Sequence, residues 1–133
     1  MNARFDEFLT SSDTLQVYSG DRLLFSSTKD GLKPMLEYVD GRSPGDSGIL
    51  IFDRVVGNAA ALLAVLACCG ELDSPLGSEL AVKTLKSYSI KHHFTKVVPF
   101  IQARDGCSLC PMEKLSLEKS PQAFYEALKQ KKN

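Results

Sequence analysis

The run Ile49-Leu50-Ile51-Phe52-Asp53-Arg54-Val55-Val56-Gly57-Asn58-Ala59-Ala60-Ala61-Leu62-Leu63 decides the fold. Its first four residues are apolar on both faces, which predicts a strand buried between layers rather than one lying over a single layer. Asp53 closes that strand. After the short connection Arg54-Val55-Val56-Gly57, Asn58 is a preferred helix cap, and the segment from Ala59 to Cys69 is apolar all round. That segment predicts an interior helix, ended by Gly70.

Upstream, Phe5, Phe8 and Leu9 stand at i, i+3 and i+4 among charged residues, the spacing of a one-faced helix. Leu15 and Val17 alternate with Gln16, Ser19-Gly20-Asp21 breaks the run, and Leu23-Leu24-Phe25 resume it, which predicts a β-hairpin. Lys29-Asp30-Gly31 is a turn, and Leu32, Met35, Leu36 and Val39 recur at helical spacing, with Pro34 tolerable in the first turn. Asp40 to Gly48 is a loop rich in Gly, Ser and Asp.

Downstream, Glu71-Leu72-Asp73 is short enough for a strand or a loop, and Ser74-Pro75-Leu76-Gly77 has the composition of a turn. Ser78 is placed to cap a helix that buries Leu80, Ala81, Thr84 and Leu85. Ile90 to Val98 predicts a further strand, and a last helix starts near Pro121 and runs through Phe124, Tyr125 and Leu128. Strands alternating with helices predict an α/β fold, a three-layer α/β/α sandwich with a mixed central sheet opened by a β-hairpin. At 133 residues the whole of 1–133 is expected to form one domain.

Composition narrows the function classes. With 44% hydrophobic residues and 16 Lys+Arg against 16 Asp+Glu, the chain is neither disordered nor a basic nucleic-acid wrapper, so nucleic acid is not an expected partner. The apolar segment from Ala59 to Cys69 is well short of the roughly 20 residues a membrane span requires. The first residues, Met-Asn-Ala-Arg-Phe-Asp-Glu-Phe, carry acids and no signal-type apolar run, so a cytoplasmic location with reduced cysteines is expected.

Open α/β sheets place ligands beyond the carboxyl ends of their strands, which singles out Asp53. The start of the Asn58 helix offers unpaired N–H groups and a helix dipole to an anion, and Gly57 lets a ligand approach the backbone. A second dense stretch runs from Asp105-Gly106-Cys107 to Cys110-Pro111-Met112-Glu113-Lys114. Pro111 at a first helical position would aim a helix start at the Cys110 sulfur, favouring its thiolate. Glu113 and Lys114 read first as anchors of a salt-bridged loop. Cys68-Cys69 are adjacent and cannot complete a zinc site with Cys107 and Cys110, because neighbouring helical residues project about 100° apart. His92 and His93 lie on an apolar strand, one expected to face the core and the other water, with no nucleophile nearby in sequence. No phosphate-binding glycine signature, Gly-x-Ser-x-Gly elbow or metalloprotease histidine pair is present.

The block from Asp53 to Leu63, followed about 50 residues later by Arg104-Asp105-Gly106 and Cys110-Pro111-Met112-Glu113-Lys114-Leu115, resembles the prokaryotic family catalogued as domain of unknown function 1893. The resemblance implies a cytidine-deaminase-like fold with no established activity. A zinc deaminase holds its metal with a His or Cys and a nearby Glu at one helix start and Pro-Cys-x-x-Cys at the next. Here the two helix starts read Asn58-Ala59-Ala60 and Pro75-Leu76-Gly77-Ser78-Glu79, which offer no such ligand set, so no metal and no cofactor is expected there. The family usually carries a basic residue after Val-Val-Gly, where this chain has Asn58. Arg54 or Lys114 would then have to contact a phosphate.

Three readings follow. The first is a deaminase-fold protein without zinc catalysis that binds a nucleoside, nucleotide or nucleotide-sugar ligand such as ADP-ribose. Its expected contacts are Asp53, Arg54, Gly57, Asn58, Asp105 and Lys114. The second is a thiol enzyme with Cys110 as nucleophile and Glu113 or a histidine as its partner. The third is a structural or assembly protein whose exposed helices pair in a homo-oligomer.

Overall fold

In a computed structural model, which describes residues 3–42, 47–101 and 111–131, the chain runs α1 (Ala3–Thr10), β1 (Leu15–Ser19), β2 (Arg22–Ser27), α2 (Lys33–Gly41), β3 (Ile49–Asp53), β4 (Val55–Val56), α3 (Asn58–Leu66), β5 (Cys69–Ser78), α4 (Glu79–Ser87), β6 (Lys91–Val98), α5 (Pro111–Ser116) and α6 (Pro121–Lys131). The sheet is mixed. β1 is antiparallel to both β2 and β3, whereas β3, β4 and β6 all run parallel to β5. Leu72 pairs with both Ile51 and His92, and Leu76 with both Val55 and Lys96. β5 therefore carries β3 and then β4 along one edge and β6 along the other.

Paired residues share a face, so the register sorts the sheet into two sides. Val17, Ile51 and Leu72 form a row that joins the main core, in which α3 is the central helix, buried along Ala59 to Ala64. α2, α4, α5 and α6 all pack on α3. The adjoining row, Gln16, Phe52, Asp73 and His93, faces the other way. Only α1 among the described helices has its aromatic residues there: Phe5 and Phe8 stand 5.4 and 5.7 Å from the Phe52 ring. This is the expected three-layer α/β/α arrangement with its opening hairpin, one outer layer being a single short helix.

Three expectations are corrected. Ser74-Pro75-Leu76-Gly77 is not a turn but the second half of the central strand. Pro75 lacks a donor and is excluded from most strand interiors. Here it falls where the neighbour on one edge changes from β3 to β4, and it has no paired residue on the β6 edge either. The Ser74 hydroxyl bridges the same gap, accepting from the Leu76 N–H at 3.2 Å and donating to the Leu76 carbonyl at 2.9 Å. The interior helix stops at Leu66 rather than Cys69, because Cys68 takes a φ of 59° and turns the chain into β5. Cys68 is consequently exposed and only Cys69 is buried. Asn58 is the first helical residue and Gly57 the N-cap, so Asn58 is free of the capping role. Ser78, by contrast, caps α4 as expected, accepting from the Ala81 N–H at 3.0 Å.

Candidate functional site

β3 ends at Asp53 and α3 begins at Asn58, so the linking residues are held at the carboxyl end of a buried strand and the dipole-positive end of a buried helix. A cavity of about 310 Å³ opens there. Asp53, Arg54, Val55 and Gly57 line it from the linker, Ala59 and Ala60 from the first turn of α3, Thr14 and the Asp30-Gly31-Leu32 turn from one side, and Ile101, Met112 and Glu113 from the other. The lining is mostly aliphatic with a few convergent polar groups, the usual make-up of a small-molecule site.

Asp53 is the titratable group this geometry alters most. Burial pushes its carboxyl up to about 7, against the lowering effect of backbone hydrogen bonds from Arg54 and Val55. The Arg54 N–H donates to Asp53 Oδ1 at 2.8 Å. Near neutrality this carboxyl can both donate and accept a hydrogen bond.

Glu113 fills the anion position at the start of α3. It is 1% exposed. Its Oε1 accepts the Asn58 backbone N–H and its Oε2 accepts the Ile101 N–H at 2.7 Å. Gly57 is required by this arrangement, since a Cβ there would lie 2.9 Å from both Glu113 Oε1 and Ile101 Cγ1. The Asn58 side chain turns the other way. Its Nδ2 donates to the Ser116 carbonyl and hydroxyl at 3.2 and 3.1 Å, and its Oδ1 accepts from Thr84 Oγ1, which ties α3 to α5 and α4.

Arg54 lines the cavity, and its guanidinium makes four hydrogen bonds to backbone carbonyls around the end of α1. Nε donates to the Asp13 carbonyl at 3.0 Å, Nη1 to Leu9 at 3.2 Å, and Nη2 to Phe8 and Ser11 at 2.9 and 2.7 Å, with the guanidinium 4.5 Å from the Phe8 ring centroid. It closes the carboxyl end of α1, where a cation is favoured.

Of the residues singled out in the sequence, Asp53, Arg54, Gly57 and Glu113 thus meet at one cavity, with Asn58 adjoining it. Lys114 is exposed on α5 and does not line the cavity. Asp105, Cys107 and Cys110 lie outside the described residues. Thr14, Leu32, Ile101 and Met112 were not singled out. Their side chains are ordinary, and only the packing of the hairpin, α2 and α5 around α3 brings them to the linker. His92 is half-buried with its ring 5.2 Å from that of Phe94, and His93 is exposed beside Asp73 and Glu71.

Among the described residues no helix is long and apolar enough to cross a membrane. No curated protein matches the chain. Among solved structures it is similar to the crystal structure of a DUF1893 family protein, TM1506, from Thermotoga maritima, with a TM-score of 0.87 and 31% identity, covering 97% of this chain and 87% of that one. The sequence profile described as TM1506, domain of unknown function (DUF1893), matches residues 5–131. With the family's profile spanning nearly the full length and a solved member sharing the fold, the chain belongs to the DUF1893 family.

Proposed function

We propose that the cavity at the Asp53–Asn58 linker binds a nucleoside, held by its base. The carrying observation is the pairing of Asp53, raised to about 7, with aliphatic walls from Leu32, Val55, Ala59, Ile101 and Met112. A carboxyl that donates and accepts at neutral pH complements the edge of a nucleobase, where a ring nitrogen and an amino or imino group stand side by side. The aliphatic walls offer an apolar surface to the faces of a base. The volume is at the lower end of the roughly 300–1,000 Å³ usual for ligand pockets, which suits one nucleoside better than a nucleotide-sugar.

The charge balance favours the same choice among the three ligand types. Glu113 already occupies the helix start that a phosphate would seek, and the one described cation in the lining, Arg54, has its guanidinium bound to α1 carbonyls. The cytidine-deaminase-like fold implied by the sequence resemblance supports a nucleoside ligand by analogy.

Thermal unfolding with cytidine, uridine, adenosine and guanosine, each alongside its 5′-monophosphate, tests the reading, because a ligand that binds only the folded state raises the melting temperature. At least one nucleoside is expected to do so, more than its monophosphate, and Asp53→Ala should remove the effect. No shift with any nucleoside at millimolar concentration would overturn the proposal. Turnover of a thioester or related acyl substrate that disappears in Cys110→Ser would instead favour the thiol enzyme.

A further inference from the structure

On the face of the sheet turned away from α3, three side chains converge that take no part in the cavity. Glu71 and Asp73 are two residues apart on β5 and therefore project to the same side, and His93 on β6 is the direct cross-strand partner of Asp73. His93 Nδ1 stands 3.2 Å from Asp73 Oδ1 and 3.5 Å from Glu71 Oε2, and one ligand atom from each residue lies within 4.8 Å of the others. We propose that Glu71, Asp73 and His93 form a binding site for a first-row divalent metal ion, held by two carboxylate oxygens and one imidazole nitrogen, with water completing the coordination.

Three features support this. The separations of 3.2 and 3.5 Å are close to those between neighbouring ligands around an ion with bonds of roughly 2.0–2.2 Å, so little movement is needed to admit one. The Asp73 side chain is only 6% exposed, it is aimed into the cluster, and among the described residues it has no hydrogen-bond donor outside it. A buried carboxylate so placed requires a compensating positive charge. A divalent ion would supply that charge. The exposure graded from Asp73 through Glu71 to His93 leaves an open side for water, and a mixed oxygen and nitrogen set suits Mn²⁺, Co²⁺ or Zn²⁺ better than Mg²⁺, which prefers oxygen alone.

The test uses the full chain, stripped with chelator and titrated calorimetrically with Mn²⁺ and Co²⁺. These ions, unlike Zn²⁺, give direct spectroscopic signals. One ion per chain is expected, with a cobalt spectrum free of the intense thiolate-to-metal band that cysteine ligation would produce. His93→Ala, which removes an exposed side chain and should fold normally, is expected to weaken binding by at least about tenfold, the lower end of what loss of even a supporting group costs a metal site. Asp73→Asn should do the same, with circular dichroism reporting its fold. Absence of binding by the unaltered chain, equal binding by His93→Ala, or a thiolate band would each overturn the proposal.

Discussion

Glu113 caps a helix that begins 55 residues before it, its carboxylate accepting the backbone N–H of Asn58. The same carboxylate accepts the Ile101 N–H, so one buried side chain satisfies two donors from different segments and holds α5 against the start of α3. The Cys-Pro-Met-Glu-Lys block thereby acquires a structural account: Pro111 starts a short helix whose third residue is the cap and whose sixth, Ser116, receives Asn58.

Removing this cap should be expensive. Glu113→Ala leaves the buried Asn58 N–H and the part-buried Ile101 N–H without an acceptor, and with about 1–3 kcal/mol for a buried donor and less for the other, a loss of roughly 2–4 kcal/mol is expected in urea unfolding. Glu113→Gln retains one acceptor oxygen and should lose about half as much. Equal stability of all three proteins would show that water replaces the carboxylate.

Gly77 and Phe94 present a second close approach. A Cβ on Gly77 would lie 2.2 Å from Phe94 Cδ2, inside the ring's own volume. Gly77→Ala is expected to destabilise by about 2 kcal/mol or more, as overpacking does. Adding Phe94→Ala should remove the clash, so the double substitution should be less destabilising than the sum of the two single ones, a coupling readable from a double-mutant cycle.

Asp53 makes stability depend on pH in a defined direction. Its carboxyl titrates near 3.8 when unfolded and near 7 when folded, so between these values the unfolded chain has released a proton that the folded chain keeps. Stability from this group therefore falls as pH rises from about 4 to about 7 and is level above that. Asp73, raised to about 6, contributes in the same sense. The difference between the unaltered chain and Asp53→Asn isolates the first group: it should narrow across that window in favour of the Asn variant, and a flat difference would contradict the assignment.

The vicinal cysteines should behave oppositely. Cys69 is buried, and burial pushes its thiol up to about 12, with its Sγ 3.0 Å from the Glu71 carbonyl, whereas Cys68 is exposed at the turn. In the folded protein iodoacetamide should modify Cys68 and spare Cys69, by peptide mapping, until denaturant is added.

Local patterning made much of this legible. Ile49 to Asp53, the hairpin around Gly20 and the helices at Ser78 and Pro121 all carry periodicity or end signals that survive in the fold, and Asp53 and Gly57 were identifiable as positions at a strand end and a helix start. β5 was not, because Ser74-Pro75-Leu76-Gly77 has turn chemistry, and only the exchange of β3 for β4 along its edge makes a proline harmless there. Had Glu71 to Asp73 been read as strand, the alternation alone would have put both carboxylates on one face, but the placing of His93 beside them depends on register between strands.

Residue order by itself determined the layered α/β class, the family and the strand end and helix start that flank the Asp53–Asn58 linker, since hydrophobic period, caps and short motifs act over a few neighbours. The tertiary structure alone decided which groups fill that linker. Glu113 took the anion position expected for a ligand, and Arg54 turned its charge to the α1 carbonyls. Buried donors, acceptors and charges must be satisfied by whatever the folded chain brings within reach, and that reach spans separations along the sequence that no local pattern encodes.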